Sequence, residues 1–406
     1  MKKPLILVLN SGSSSIKFQL FDMSAETVLA RGLIERIGLD IATIHFQVGD
    51  ETYKQAEEIW SHEGAIDVIL RLLTDGKKPP LSRKEALAGI GHRVVHGGEA
   101  FQAPVLIDDE VIRVIYEHID LAPLHNPANL KGIEATRAQF GNWVPMVAVF
   151  DTAFHQTMGE EAYLYAIPYT LYRRHKVRRY GFHGTSHHYV WEELIRLAGD
   201  AWRSRKVVSL HLGNGASACA IQAGKVVETS MGMTPLEGLV MGTRSGDIDP
   251  AVLPYVMAKE DLSIAEVQAM LNKHSGLLGL SEKTSDMREI LAFMFEGDEG
   301  ADRAFRVFMH RLKKYVGAYA ATMGGIDALI LTGGIGEHAA PVREALLAGL
   351  SFLGFDLDRR ANVEKKDGFR RITSDTSRAH AFVIPTDEER FIARETYRLL
   401  KAEGLL

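Results

Sequence analysis

The chain reads as an α/β protein built from two similar lobes, and three observations carry that reading. Apolar strands alternate with helical patterns along its whole length. A strand, turn and returning strand near the start recur about two hundred residues later, too far apart for a solenoid repeat. The length of 406 residues exceeds what one small core organises and suits two domains.

The first copy opens with Leu5 to Leu9, turns through a glycine and serine segment, and returns through Ile16 to Phe21 with period-two alternation. The second runs through Val207 to Leu212, turns at Gly213-Asn214-Gly215-Ala216-Ser217, and returns through Ala218 to Ile221. Between them, Asp109 to His118 and Asn129 to Phe140 read as helices, and Val144 to Phe150 is an apolar strand ending at Asp151-Thr152. The second lobe begins just after Asp151. A helix from Asp302 to about Met323 shows Phe305, Phe308, Leu312 and Val316 on one face and stops at Gly324-Gly325. The strand Ala328 to Thr332 then feeds Gly333-Gly334-Ile335-Gly336-Glu337 and a new helix, an order that presents backbone N–H groups to a nucleotide. Finally, strand Ala381 to Ile384 leads through Pro385 to a last helix, with Thr386 and Glu389 spaced as a capping box.

Composition narrows the function. With 46% apolar and 24% charged residues and no apolar run long enough to span a bilayer, a soluble protein without a membrane role is expected. The basic flank Lys2-Lys3 and its short apolar run end too early for a signal sequence. Cys219 is the only cysteine, so an intrachain disulfide and a thiolate-rich metal site are excluded, and a reducing cytoplasm fits. A net charge of −5 without a basic block argues against a nucleic-acid partner and leaves anionic substrates to local basic residues.

Several segments could supply such local chemistry. Asn10-Ser11-Gly12-Ser13-Ser14-Ser15-Ile16-Lys17 places a turn, hydroxyls and a lysine at a strand end, as holding phosphate oxygens requires, or is an ordinary serine-rich hairpin. The Gly213 to Ser217 turn has the same two readings, and two such hairpins in matching places favour the phosphate one. Arg93 and Arg244 each sit among glycines that admit a ligand, placed to fork a carboxylate or phosphoryl group; an isolated arginine more often extends into solvent. His183 and His187 are spaced as in zinc sites, yet the glutamate of the zinc motif is missing and Thr185 or Ser186 resembles a helix N-cap. A single histidine there, donating to a developing charge, is the stronger functional reading, against packing alone. Asp151 either caps the next helix or manages Mg²⁺ or substrate, and Glu388 is ambiguous in the same way, since first-turn carboxylates stabilise the helix dipole unaided.

These segments, in this order, resemble the acetate kinase family: Leu9 to Lys17, Gly181-Phe182-His183-Gly184-Thr185-Ser186-His187, His211 to Gly215, Gly242-Thr243-Arg244-Ser245-Gly246-Asp247 and Gly334-Ile335-Gly336-Glu337. The resemblance implies the fold of the sugar kinase, Hsp70 and actin superfamily, an actin-like ATPase duplication of two lobes, each on a ribonuclease-H-like mixed sheet flanked by helices. Residues 1–152 with 386–406 would form the N-terminal lobe, carrying the acyl and metal residues, and 153–385 the C-terminal, nucleotide-binding lobe. It further implies reversible, direct in-line transfer of the ATP γ-phosphoryl group to acetate, giving acetyl phosphate and ADP. Asn10 and Glu388 would hold Mg²⁺, with Mn²⁺ as a substitute. Lys17 would contact nucleotide phosphate, and Arg93 the acyl carboxylate. His183 and Arg244 would stabilise the transferring group, and Asp151 would be the catalytic acidic residue. Nucleotide would meet His211, Leu212, Gly213, Asn214 and Gly215, then Asp286, Met287 and Arg288, then Gly334, Ile335, Gly336, Glu337 and His338. The acyl methyl group would meet Val95, Leu124, Phe182 and Pro235. A cytoplasmic homodimer is implied as well.

Two positions depart from the family pattern: His338 and Asp387 stand where asparagines are usual. The first bears on nucleotide preference; the second adds a charge beside the metal glutamate. A carboxylate substrate is already ionised at neutral pH and needs no general base, so Asp151 is expected to orient Arg93 or a metal-bound water. Propionate or butyrate kinase, a non-catalytic nucleotide switch of the same fold and a metallohydrolase are the competing readings, since fold alone does not assign activity.

Overall fold

A computed structural model describes residues 3–75, 79–141, 143–364 and 368–406. The chain divides into two compact units, Met1–Ala153 with Asp387–Leu406, and Phe154–Thr386. Among the described residues no helix is long and apolar enough to cross a membrane.

Unit 1 is organised by an eight-stranded mixed sheet. Its strands are β1 (Leu5–Ser11), β2 (Ser15–Asp22), β3 (Thr27–Glu35), β4 (Ala42–Val48), β5 (Glu51–Glu57), β6 (Leu87–Val94), β7 (Val105–Leu106) and β8 (Met146–Phe150), in the spatial order β5-β4-β3-β2-β1-β6-β8-β7. The first five form an antiparallel meander, while β6 and β8 run parallel to β1. Helices Asn126–Phe140 and Glu388–Ala402 pack against β1 and β6, so these strands are buried on both faces and read as unbroken apolar runs. The C-terminal helix comes close because β6 alternates glycine on its side: a Cβ at Gly91 would lie 2.4 Å from Thr396 Oγ1 and 2.7 Å from Ile392 Cγ2.

Unit 2 repeats the core on six strands: β9 (Lys206–Leu212), β10 (Ala216–Gln222), β11 (Lys225–Thr229), β12 (Ala328–Thr332), β13 (Arg370–Arg371) and β14 (His380–Val383), ordered β11-β10-β9-β12-β14-β13. Here too the first three strands are antiparallel, and β12 and β14 run parallel to the first. The runs β3-β2-β1-β6-β8 and β11-β10-β9-β12-β14 therefore share one topology. This is the duplication expected from the repeated hairpin, on the ribonuclease-H-like sheets that the family resemblance implies.

Local signals placed most elements and misplaced some ends. The helix Asn126–Phe140 starts three residues before expectation, with Pro127 in its first turn, where a missing N–H costs nothing. The long helix is Glu299–Thr322, because Asp298 accepts from Ala301 N–H and supplies the cap. The capping box at Thr386 and Glu389 does not form. Asp387, one residue on, is the N-cap and accepts from Arg390 N–H, while Glu389 turns to Lys17. Nor do Thr185 or Ser186 cap a helix. Helix Gly184–Ala198 starts directly after His183, so both lie buried in its first turn.

Candidate active site

In unit 1 the three parallel strands point their C-terminal ends the same way, where open α/β sheets bind ligands. Asn10 and Arg93 are the penultimate residues of β1 and β6, Asp151 follows β8, and Glu388 opens the last helix. Arg93 joins all three. Its Nη2 donates to Asp151 Oδ2 at 2.5 Å and its Nε to the same oxygen at 3.1 Å; Nη1 donates to Asn10 Oδ1 at 3.3 Å, and Glu388 Oε2 lies 3.7 Å from Nε. Burial works against the Arg93 charge, but the carboxylates of Asp151 and Glu388 outweigh it and hold its pKa above the ordinary value. Two asparagines on helix Asn126–Phe140 fix the strand ends. Asn129 accepts from Val95 N–H (3.0 Å) and donates to the Ser11 carbonyl (2.9 Å), and Asn126 bonds both backbone groups of His96. Lys17, opposite Asn10 in the hairpin, pairs with Glu389 at 2.8 Å. Val95 is buried, whereas Leu124 is 74% exposed.

In unit 2, His183 takes a left-handed backbone conformation (φ 56°) immediately before helix Gly184–Ala198, a strained geometry for a residue with a Cβ. Its Nδ1 lies 2.8 Å from Ser217 Oγ, and its ring stacks on His211 with centroids 4.3 Å apart. Behind it, His155 Nε2 donates to the Phe182 carbonyl at 2.9 Å. Gly215, in the β9–β10 turn, leaves open the space between Arg244 and His183: a Cβ there would sit 3.5 Å from Arg244 Nη1 and 3.5 Å from His183 Cε1. Arg244 donates to the Pro235 carbonyl at 3.3 Å. Among the described residues it has no ion pair, and burial lowers its pKa. A desolvated guanidinium of this kind is a receptor for an anion.

The other expected nucleotide residues are held by their own surroundings. Gly333–His338 is a short helix off the end of β12; Glu337 Oε1 accepts from Gly333 N–H (2.9 Å) and Thr386 N–H (3.3 Å). Buried Arg343 donates to the carbonyls of Gly336 and Glu337 and to Asn362, and its burial pushes its pKa down to about 10. Gly334 and His338 are exposed. Asp286 caps helix Met287–Phe295 and pairs with Arg288 at 2.5 Å, which holds its carboxyl below the usual range. No hydrogen bond or ion pair joins Asp286, Met287 or Arg288 to the other candidates among the described residues. The Asp387 charge is taken up by its cap and by Arg390 Nε at 2.9 Å.

The structure thus brings together Asn10, Arg93, Asp151 and Glu388 in one unit, and His183, His211, Gly215, Arg244 and Pro235 in the other. The Acetokinase family model matches residues 5–394. The chain belongs to the acetokinase family. It is 51% identical to an acetate kinase of Symbiobacterium thermophilum, over 98% of this chain and 99% of that one. It is also 51% identical to an acetate kinase of Halothermothrix orenii, over 98% of this chain and all of the relative. Among solved structures, acetate kinase of Porphyromonas gingivalis superposes with a TM-score of 0.93 at 44% identity, covering 98% of this chain and 100% of that one. A propionate kinase of Francisella tularensis gives 0.90 at 42%, covering 97% and 99%.

Sequence reasoning missed the residues that hold these candidate residues in place: Asn126, Asn129, Ser217, Glu389 and Arg343. For Arg343 a signal existed, an arginine inside the apolar face formed by Val342, Leu346 and Leu347. The others are ordinary polar residues whose partners are distant in sequence.

Proposed function

We propose that this protein is an acetate kinase that transfers the γ-phosphoryl group of ATP directly to acetate, giving acetyl phosphate and ADP, and runs the reaction in both directions. The observation that carries the reading is the identity of about half its residues, end to end, with curated acetate kinases. Physical chemistry agrees with it. Acetate is an anion at neutral pH, so the obstacle is bringing two anions together, and catalysis rests on positioning and charge neutralisation. In unit 1, Arg93 takes the acetate carboxylate beside Val95, and Asp151 orients Arg93. In unit 2, His183 and Arg244 act on the transferring phosphoryl group, and the β9–β10 turn and Gly333–His338 receive nucleotide.

Asn10 and Glu388 fit a Mg²⁺ site. Both bring an oxygen against Arg93, and Mg²⁺ takes one or two carboxylates while keeping waters and substrate phosphates as its other ligands. When bound, the ion supplies positive charge to the polyphosphate. Lys17 would add a phosphate contact once released from Glu389. The resemblance that gives these roles also supports a cytoplasmic homodimer.

A second reading is propionate kinase, favoured by the Francisella tularensis structure. One methylene in an apolar pocket changes specificity by only about 1–3 kcal/mol. A hydroxamate assay with MgATP and acetate, propionate or butyrate decides: kcat/KM is expected to be highest with acetate. A maximum with propionate would move the assignment, and turnover of none would overturn it.

A further inference from the structure

In unit 2 the stretch that carries Pro235 runs between two anchored glycines. At its start the Gly232 carbonyl accepts from Tyr180 N–H at 3.1 Å and from Gly181 N–H at 3.2 Å. At its end Gly238 N–H donates to Asp247 Oδ1 at 2.9 Å, and the Gly238 carbonyl accepts from Arg311 Nη1 at 3.0 Å. Among the described residues no backbone–backbone hydrogen bond ties residues 233–237 to any other segment. Side chains hold them instead.

Tyr165 joins the two ends of this stretch through one oxygen. Its hydroxyl accepts from Met233 N–H at 2.9 Å and donates to Glu237 Oε2 at 2.5 Å. The polarity has no alternative: an amide N–H can only donate, which leaves the phenol proton for the carboxylate. Burial and then the Glu237 carboxylate raise the Tyr165 pKa, so the phenol keeps that proton. Arg179 takes the other carboxylate oxygen. Its Nη2 donates to Glu237 Oε1 at 2.7 Å, and its Nη1 donates to the carbonyls of Thr229, Ser230 and Met231. The fit against the backbone is close: a Cβ at Gly232 would lie 1.9 Å from Glu237 Oε2 and 2.2 Å from Tyr165 Oη.

The stretch so held presents the Pro235 carbonyl, the one oxygen that Arg244 meets among the described residues, 3.3 Å from its Nη1. A guanidinium without an ion pair takes its direction from such an acceptor, and its planar fork grips an anion only when correctly turned. We propose that Tyr165 and Glu237 are positioning residues, which set the place of the Pro235 carbonyl and through it the orientation of the Arg244 guanidinium. The inference rests on the reading of Arg244 as a group that meets the transferring phosphoryl group.

Two measurements keep the inference and that reading apart. Nitrogen-15 NMR of the arginine guanidinium groups compares wild type with Tyr165→Phe, the Arg244 signal being assigned by its loss in Arg244→Lys. Removing the hydroxyl is expected to shift the Arg244 signal and merge its two Nη resonances, while the Arg343 signal stays in place. An Arg244 signal identical in both proteins overturns the proposal whether or not the protein is a kinase. The second measurement is a double-mutant cycle on kcat with MgATP and acetate. Tyr165→Phe alone is expected to lose about tenfold to a hundredfold, as when a reacting group is misplaced by about an ångström, with KM for MgATP little changed. In the Arg244→Ala background the same substitution should cost about twofold or less, because the group it positions is gone. Equal losses in both backgrounds show a merely structural role and overturn the proposal. Glu237→Gln, whose amide oxygen still accepts one bond, should lose less than Tyr165→Phe and show the same coupling to Arg244. If Tyr165→Phe does not fold, Glu237→Gln takes its place in both measurements. A wild-type protein without kinase activity would sink the transfer reading and leave the guanidinium spectra standing.

Discussion

Each unit carries one arginine among glycines, and the two are maintained in opposite ways. Arg93 is clamped by Asp151 and faces Glu388, and these carboxylates raise its pKa against the cost of burial. Among the described residues Arg244 has only the Pro235 carbonyl and the Met241 sulfur within reach, and burial lowers its pKa. Local sequence did not separate them. The difference is one between a charge neutralised within the fold, whose direction is fixed, and a charge left uncompensated, which a ligand anion can complete.

Breaking the first arrangement should cost the most. Asp151 is 1% exposed, and Asp151→Asn removes its charge while keeping its shape. Leaving one member of a buried pair uncompensated costs about 3–5 kcal/mol, so urea unfolding should show a loss of that order, together with a raised KM for acetate as Arg93 loses its orientation. Normal turnover in both directions would show that this orientation is unnecessary.

Arg244→Ala should show the reverse pattern. Removing a desolvated cation without an ion pair should leave the unfolding midpoint unchanged or higher. The transition state should lose about 3 kcal/mol or more, as when a charge-stabilising donor is deleted. Lysine should rescue poorly because it lacks the planar fork. Full activity in Arg244→Lys would count against a bidentate contact.

The two units also bury neutral histidines differently. Both ring nitrogens of His187 meet hydroxyls, whereas His92 Nε2, on β6, has no hydrogen-bond partner among the described residues, and burial pushes His92 down to about 3 from 6.5. Folded His92 stays neutral above about pH 3, while the unfolded chain takes up a proton below about 6.5. Its contribution is thus complete above 6.5 and is lost as the pH falls towards 3, at about 1.4 kcal/mol per unit. His92→Gln should flatten the stability curve in that window, as followed by urea midpoints from pH 7 to 4. An unchanged slope would place the titration elsewhere.

The contrast between the units explains what the sequence could show. Asn10 and Asp151 were legible as positions that close apolar runs, and the parallel strands bring those positions together, while their roles came from the family resemblance. The duplicated hairpin was legible because a strand, a glycine-containing turn and a returning strand recur in both copies. Ser217 was not, because a serine in a buried strand looks the same whether it meets backbone or, as here, His183 and His187. The same holds for Asn129, which ties Val95 to Ser11 across more than a hundred positions of chain. At the last helix the misreading was local: both Thr386 and Asp387 can cap, and the Thr386 hydroxyl is instead bonded to Ser186 at 2.8 Å.

The smallest expected effects come from one methyl group added to a glycine in each unit. At Gly91 the new Cβ would lie 2.4 Å from Thr396 Oγ1 and 2.7 Å from Ile392 Cγ2, both on the helix that begins at Glu388. Overpacking of this kind costs about 1–3 kcal/mol. Gly91→Ala should therefore lower stability and, by shifting that helix, raise the Mg²⁺ concentration needed for half-maximal activity. At Gly215 the same methyl meets only ordinary contacts, 3.5 Å from Arg244 Nη1 and from the His183 ring. Gly215→Ala should leave the unfolding midpoint within about 0.5 kcal/mol of wild type yet reduce kcat, because the methyl fills the space between Arg244 and His183. Measuring both variants for urea midpoint and kcat separates the two uses of glycine: in unit 1 it admits a helix, in unit 2 it leaves room for the proposed phosphoryl group. Equal activity in Gly215→Ala and wild type would mean that the phosphoryl group does not pass between Arg244 and His183.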